Sequence, residues 1–341
     1  MRDKGGDLLK PLKVGIIGLG SWGESHLQAY RTLPNVEVAA VSDIRTERLD
    51  EIAGKYGIAK AYPDYEQLLQ EDLDLVSIVT FEREHLQPVL AALSAGKHVV
   101  VEKPVTTDPE EAGQMLEAAR KSGRHLLPGH LLRFDTRYAE IYESLKPGGR
   151  VGRPVSLYSK RSRAKGPFAT YQRTHTVYEL TVHDIDLAIW YASSRVAGVR
   201  AYGRFAMKGQ VPDILWACLE FENGMIAVLE SNWMTPDRAG IGLNDAIEVI
   251  GERGIAPFET SHSGVQYMSD RDGRYTPDLD VHYTIEGFKA GGCLQEELAY
   301  VCRTIADGGT PDRLSFADAV HGIEVAAAIE RSAAEGREIK L

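Results

Sequence analysis

The 341-residue chain is too long for one small core, so two domains are the natural expectation. Hydrophobic residues make up 43% and charged residues 26%, a balance that excludes a disordered chain. The formal charge of −10 excludes a broad nucleic-acid surface.

Residues 1–11, "MRDKGGDLLKP", lack the apolar core of a signal peptide and read as a loose tail. "KVGIIG" is a β-branched apolar run, as expected of a strand buried on both faces. After "GLGSWG", the stretch "ESHLQAYRTL" has helical spacing, and "VEVAAVSD" is a second buried strand. "RTERLDEIAGKYG" is a helix closed by Gly57, "LDLVSIVT" a third strand, and "REHLQPVLAALSAG" a helix closed by Gly96. "HVVVEKP" is the next strand. "DPEEAGQMLEAARKSG" then carries acid at its start and base at its end, matching the helix dipole. "RHLLPGHLLRF" resumes in extended form. Strands alternating with helices predict an α/β, doubly wound parallel sheet. Further on, "VYELTVHDIDLAIWY" reads as a helix, with Glu179 and His183 four apart on one face. No apolar stretch reaches the ~20 residues that span a bilayer. Cys218, Cys293 and Cys302 are odd in number and widely spaced, so they read as reduced thiols of a cytoplasmic protein.

Gly18, Gly20 and Gly23 stand between a predicted strand and a predicted helix, the context a dinucleotide fingerprint requires. There the first glycine permits the turn, the second admits a pyrophosphate, and the third lets helix and strand pack closely. Ser21 and Trp22 lie in the same turn and join the cofactor candidates. Asp43 ends the second strand, 20 residues beyond Gly23, where a carboxylate accepts hydrogen bonds from an adenosine ribose. Its charge opposes a ribose 2′-phosphate and favours NAD. Arg45 could instead pair with such a phosphate, which leaves NADP open.

Glu102, Lys103 and Pro104 stand at the carboxyl end of a predicted strand, the edge where ligands bind an open parallel sheet. A lysine there can donate to a substrate oxygen. A lone histidine beside an apolar helical stripe, such as His183, is more often a packed core residue than a reactive one.

Together these fragments resemble the Gfo/Idh/MocA family of oxidoreductases. The resemblance runs through "VGIIGLGSWGESHLQAY", "VSD", "HVVVEKP", "GHLLRFDTRY", "VGRP", "HDIDLAIWY", "EELAYVCRTIADG" and "SFADAVHGIEVAAAIERS". It implies a Rossmann domain over residues 1–128. It also implies an α+β domain with a large, mostly antiparallel sheet over 129–341, whose C-terminal helices are candidates to pack back on the first. That sheet implies a homodimer or homotetramer.

By the same resemblance, Lys103 contacts the hydroxyl being oxidised, His183 is the acid/base, and Glu102 lies beside the nicotinamide ribose. Thr80 and His85 join the cofactor side. The family commonly has aspartate four residues before the histidine, whereas this chain has Glu179, which could orient His183 or bind the substrate. Oxidising a secondary alcohol removes a proton from oxygen as hydride leaves carbon, tasks that suit a histidine near neutral pKa and a lysine cation. The expected substrate is a sugar, glycoside, nucleotide sugar or cyclitol. Two other readings stand beside this one: a lyase or hydrolase that recycles tightly held NAD, and a non-enzymatic NAD-binding sensor. Net NADH release separates the first from the dehydrogenase, and retention of both Lys103 and His183 speaks against the second. No metal-ligand cluster is visible in the sequence.

For the substrate, "YSKRSRAKGPFATYQRTH" is basic within an acidic chain. Arg161 and Arg163 share a face at strand spacing and are candidates for an anionic group. His130, Arg133 and Tyr283 are further candidates for the pocket.

Overall fold

A computed structural model describes residues 10–261, 267–269, 273–275, 279–281, 283–285 and 288–341. Most of the tail expected over residues 1–11 lies outside the described residues. The chain divides into two compact units. One comprises Met1–Thr106, Glu110–Leu131 and Val281–Ala317; the other comprises Thr107–Pro109, Leu132–Asp280 and Asp318–Leu341.

In chain order the first unit begins β1 (Leu12–Ile17), α1 (Ser21–Thr32), β2 (Val36–Ser42), α2 (Thr46–Tyr56), β3 (Ala61–Tyr62) and α3 (Tyr65–Leu69). It continues β4 (Leu75–Ile78), α4 (Leu86–Ser94), β5 (His98–Val101), α5 (Pro109–Ser122) and β6 (Leu126–Pro128). All six strands are parallel, in the order 3-2-1-4-5-6. Such a sheet is covered on both faces, which is why β4 is buried at every residue. The strand order reverses direction between β1 and β4, and ligands of open α/β sheets bind beyond the carboxyl ends at that point. Gly57, in the left-handed conformation with φ of 68°, ends α2. Glu110 and Glu111 open α5, and Arg120 and Lys121 close it.

The stretch expected to stay extended after residue 124 does so only over β6. Gly129 N–H donates the last ladder bond to Val101 O, and His130 N–H turns back to Pro128 O. The chain thereby leaves the sheet, and Leu131–Phe134 is a 3₁₀ turn.

The second unit adds α6 (Thr136–Leu145), β7 (Pro154–Ala164), α7 (Phe168–Tyr171), α8 (Val182–Ala192), β8 (Val196–Arg204), β9 (Ile214–Phe221) and β10 (Ile226–Thr235). It goes on with β11 (Asn244–Gly251), β12 (Gly254–Glu259) and the short hairpin β13 (Tyr267–Ser269) and β14 (Gly273–Tyr275). The chain then returns to the first unit with β15 (Tyr283–Ile285), β16 (Phe288–Ala290) and α9 (Cys293–Ala306), which packs on α1. It ends with α10 (Phe316–Glu335) and β17 (Ile339–Lys340).

Seven strands form the second sheet in the order β12-β11-β7-β10-β9-β8-β17, antiparallel except for β7 beside β10. Along β9, Leu215, Ala217, Leu219 and Phe221 point inward, while Trp216 and Glu220 point out, the period-two pattern of a sheet with one covered face. The inward residues join Ile185, Leu187 and Ile189 of α8 in one core with Leu157, Leu229 and Val249. Each leucine, isoleucine, valine or phenylalanine among them contributes roughly 1.5–3 kcal/mol by leaving water.

The segment expected to be one α-helix from residue 177 is not uniform. Val177–Thr181 forms a single π turn, and α8 starts only after it. Such turns are rare and often stand at functional positions.

Candidate active site

The glycine turn sits between the end of β1 and the start of α1. Gly18 has φ of 92°, and a Cβ there would lie 2.5 Å from Val79 O and 2.9 Å from Thr80 N. A Cβ on Gly23 would fall 1.9 Å from Gly18 O, so only glycine lets α1 come this close. A Cβ on Gly20 would meet nothing within 4 Å, which leaves open space where a pyrophosphate approaches. Ser21 is exposed and Trp22 half-buried on the first turn of α1, whose N-terminal N–H groups favour an anion.

Asp43, at the tip of β2, is 6% exposed. Its Oδ2 accepts from Leu19 N–H at 2.8 Å, which ties this carboxylate to the glycine turn. Arg45 approaches both carboxylate oxygens, with Nε 3.0 Å from Oδ1 and Nη2 3.0 Å from Oδ2. Burial opposes ionisation of Asp43, but the Arg45 bonds and the Leu19 N–H outweigh it and hold the carboxyl below its ordinary range. Arg48 of α2 donates to Leu19 O at 2.7 Å and to Glu24 at 2.7 Å, bracing the turn from the other side. Arg48 was not among the sequence candidates. Its signal was weak, because one of several charges on a surface helix usually faces solvent.

Thr80 follows β4 beside the glycine turn, and its buried hydroxyl has no hydrogen-bond partner among the described residues. A polar atom left in that state is one a ligand can satisfy. His85 has another surrounding. It is 1% exposed, with Nδ1 3.1 Å from both Pro104 O and Val105 O, and Nε2 3.1 Å from Thr80 O. The ring braces the segment after Lys103 against the end of β4, and burial lowers its pKa.

Glu102 and Lys103 follow β5, and the Lys103–Pro104 peptide bond is cis. Glu102 is buried, and its Oε1 lies 2.8 Å from His26 Nε2 of α1. Lys103 is half-buried, and its backbone N–H donates to Glu102 Oε2 at 3.1 Å. Sequence reasoning passed over His26. The one available signal was a histidine on the buried stripe of α1, three residues after Gly23 and flanked by Leu27 and Tyr30. His130, just past β6, is buried. Tyr283 stands on β15, but its side chain lies outside the described residues. The turn, Asp43, Thr80 and Glu102 thus fit a dinucleotide: open space, an anion-seeking helix start, a ribose-side carboxylate and an unsatisfied hydroxyl.

In the second unit every residue of α8 is buried except His183. Two ion-pair clamps fix the helix on either side of it. Asp184 accepts from Arg161 Nε at 2.8 Å, from Arg161 Nη2 at 3.0 Å and from Ser159 Oγ at 2.6 Å. Asp186 accepts from Arg133 Nε at 3.0 Å and Nη2 at 2.6 Å, and the same guanidinium reaches Asp318 at 3.2 Å. Arg161 also donates to Asp245 at 3.0 Å, and Arg163 pairs with Asp245 through both Nη atoms. Arg133 and Arg161 are each 2% exposed. Burial opposes the charge on Arg161, but Asp184 and Asp245 outweigh it and hold its pKa well above the ordinary value. The guanidinium groups singled out for a substrate anion are therefore taken up by the protein's own carboxylates. Glu179, half-buried on the π turn, has Arg173 Nη2 3.8 Å from its Oε2.

Comparison with known proteins agrees with this geometry. Residues 12–130 match the oxidoreductase family with an NAD-binding Rossmann fold, GFO_IDH_MocA, and residues 144–256 match the GFO/IDH/MocA C-terminal domain. The chain is 27% identical to myo-inositol 2-dehydrogenase of Thermotoga maritima, over 97% of this chain and 98% of the relative. It is 31% identical to the uncharacterised oxidoreductase YrbE of Bacillus subtilis, over 78% and 79% of the two chains. Scyllo-inositol dehydrogenase from Lactobacillus casei, solved with NAD(H) and scyllo-inositol, has the same fold, with a TM-score of 0.83 at 20% identity over 97% of this chain and 99% of that one. Matches that together run through most of the chain place it in the Gfo/Idh/MocA family, as an NAD-dependent oxidoreductase acting on CH–OH groups.

Proposed function

We propose that the protein oxidises a secondary ring hydroxyl of a neutral cyclitol, with Lys103, His183 and Glu179 as its catalytic residues. The observation that carries the substrate class is the nearly end-to-end match to an inositol dehydrogenase, over 97% of this chain. The charge pattern supports it. Arg161 and Arg163 are paired with Asp184 and Asp245, and Arg133 with Asp186, which makes these three arginines poor receptors for a phosphate or a nucleotide sugar. A neutral polyol asks for no such cation.

NAD, when bound, supplies hydride acceptance. Gly18, Gly20, Ser21, Trp22, Gly23, Asp43, Thr80 and Glu102 are the residues that would hold it. Asp43 is buried and already paired with Arg45, so a ribose 2′-phosphate would bring like charge against it, and NAD is favoured over NADP. Lys103 steadies negative charge developing on the alcohol oxygen. His183 takes the hydroxyl proton, and Glu179 orients the imidazole or a neighbouring substrate hydroxyl.

The test is purified protein with NAD and a panel of inositols, sugars, glycosides and nucleotide sugars, following NADH absorbance and product mass. NADH formed with a product two hydrogens lighter, from an inositol and not from a nucleotide sugar, is the expected result. Consumption of a glycoside without NADH would show the recycled-cofactor chemistry instead.

The outer face of the seven-stranded sheet exposes Tyr202, Trp216, Ile226 and Ile250, with Glu220, Glu230 and Glu248 on the same side. We assign this face to self-association, since the exposed rings of Tyr202 and Trp216 stand side by side on it and large exposed apolar groups that cluster mark interaction sites. Light scattering is expected to give a dimer or tetramer, and a Trp216→Glu, Ile226→Glu variant a smaller species; a monomeric parent would rule the assignment out. The three free cysteines fit a cytoplasmic location.

A further inference from the structure

We propose that His26 is a positioning residue for the reaction, holding the Glu102 carboxylate in the one orientation that fixes the turn presenting Lys103. The proposal rests on the reading of Lys103 as a catalytic residue.

His26 is 0% exposed and Glu102 4%, so the pair is sealed from water. Burying a carboxylate without partners costs several kcal/mol, and a site retains one only where its bonds are met. Glu102 meets that condition from two sides. Its Oε1 takes His26 Nε2–H at 2.8 Å, and its Oε2 takes the backbone N–H of Lys103 at 3.1 Å. Burial opposes its ionisation, but the hydrogen bond from His26 outweighs it and brings its pKa below the ordinary value. The residue that holds Glu102 thus also determines how the next residue leaves the strand.

His26 is itself held. Its Nδ1 lies 3.3 Å from Ser77 Oγ, which lies 2.8 Å from Tyr30 Oη, and the rings of Trp22 and Tyr30 meet the imidazole edge-on. Burial pushes the Tyr30 pKa well up, so its hydroxyl stays a donor. A consistent order runs one way: Tyr30 O–H to Ser77, Ser77 O–H to His26 Nδ1, His26 Nε2–H to Glu102. Chains of this kind polarise each link and lock the last acceptor. In metal sites, residues that orient a ligand through a hydrogen bond typically matter by about 10–100-fold, and a comparable effect is expected here.

Two readouts test it. Ring ¹⁵N spectra of the histidines at neutral pH, in the protein without cofactor, should place the His26 proton on Nε2 and leave Nδ1 bare. A proton on Nδ1 with Nε2 bare would make Glu102 the donor and overturn the proposal. In turnover of the responding inositol, His26→Leu should lower kcat ~10–100-fold while KM for the alcohol stays within ~3-fold. His26→Gln, whose amide nitrogen reaches the Nε2 position, should recover most of that loss with a parental melting temperature. Added to Glu102→Gln, His26→Leu should cost nothing further, because it acts through Glu102. Unchanged kcat in His26→Leu, or losses that multiply in the double variant, would overturn the proposal. If Glu102→Gln and Lys103→Ala themselves leave kcat intact, the reading of the site falls, and the role of His26 falls with it.

Discussion

Lys103→Ala is expected to lower kcat/KM by ~10²–10³-fold or more while the NAD dissociation constant stays within ~3-fold. The ammonium is the group assigned to the developing alkoxide, and removing a donor that acts only on transition-state charge has that magnitude. The residues proposed to hold the cofactor, in the glycine turn and at Asp43, lie elsewhere, so binding should persist. Lys103→Arg should recover little, since a guanidinium is larger and planar where a compact ammonium sits. His183→Ala should cost ~10²–10⁴-fold by loss of the acid/base. Turnover near the parental rate in Lys103→Ala, with NAD titration showing normal occupancy, would remove Lys103 from the chemistry.

Arg161→Leu is expected to destabilise the protein by about 3–5 kcal/mol, the range for breaking a buried ion pair by deleting one partner. The substitution leaves Asp184 inside the sheet–helix core with its main counter-charge gone, and Asp245 with Arg163 alone. Against a typical total of about 5–15 kcal/mol, that is a large share and should appear as a clear fall in the denaturation midpoint. Arg163→Gln should cost much less, because the Arg163 side chain is 18% exposed and Arg161 still serves Asp245. Activity should fall in parallel in Arg161→Leu, since Asp184 adjoins His183 on α8. A variant that melts like the parent but shows a raised KM for an anionic substrate would return Arg161 to the substrate side.

The same residues show how far the chain could be read without coordinates. Arg161 and Arg163 were legible as charges on one strand face, but sequence spacing says nothing about which carboxylates stand opposite. Asp184 comes 23 residues later in the chain than Arg161, and Asp245 comes 84 residues later. Lys103 and Glu102 were legible because an apolar strand followed by charge and proline marks a strand end. His85 came to the cofactor side by the resemblance, and no local pattern showed it as a ring enclosed by three backbone carbonyls. His26 looked like any helix histidine until β4 and β5 brought Ser77 and Glu102 against it.

What the sequence alone determined is what local chemistry controls. Apolar runs and helical periodicity defined the alternating elements of the first unit, and the glycine spacing located the turn at Gly18–Gly23. Strand ends placed Asp43 and Lys103 at the binding edge. Only the tertiary structure decided the rest: the return of residues 281–317 to the first unit, the π turn before α8, the neutralisation of the arginines and the His26–Glu102 pair. The division has one physical cause. Elements are set by preferences within a few residues, whereas the charge state and orientation of a buried polar group depend on partners brought near by folding, at separations the local pattern does not encode.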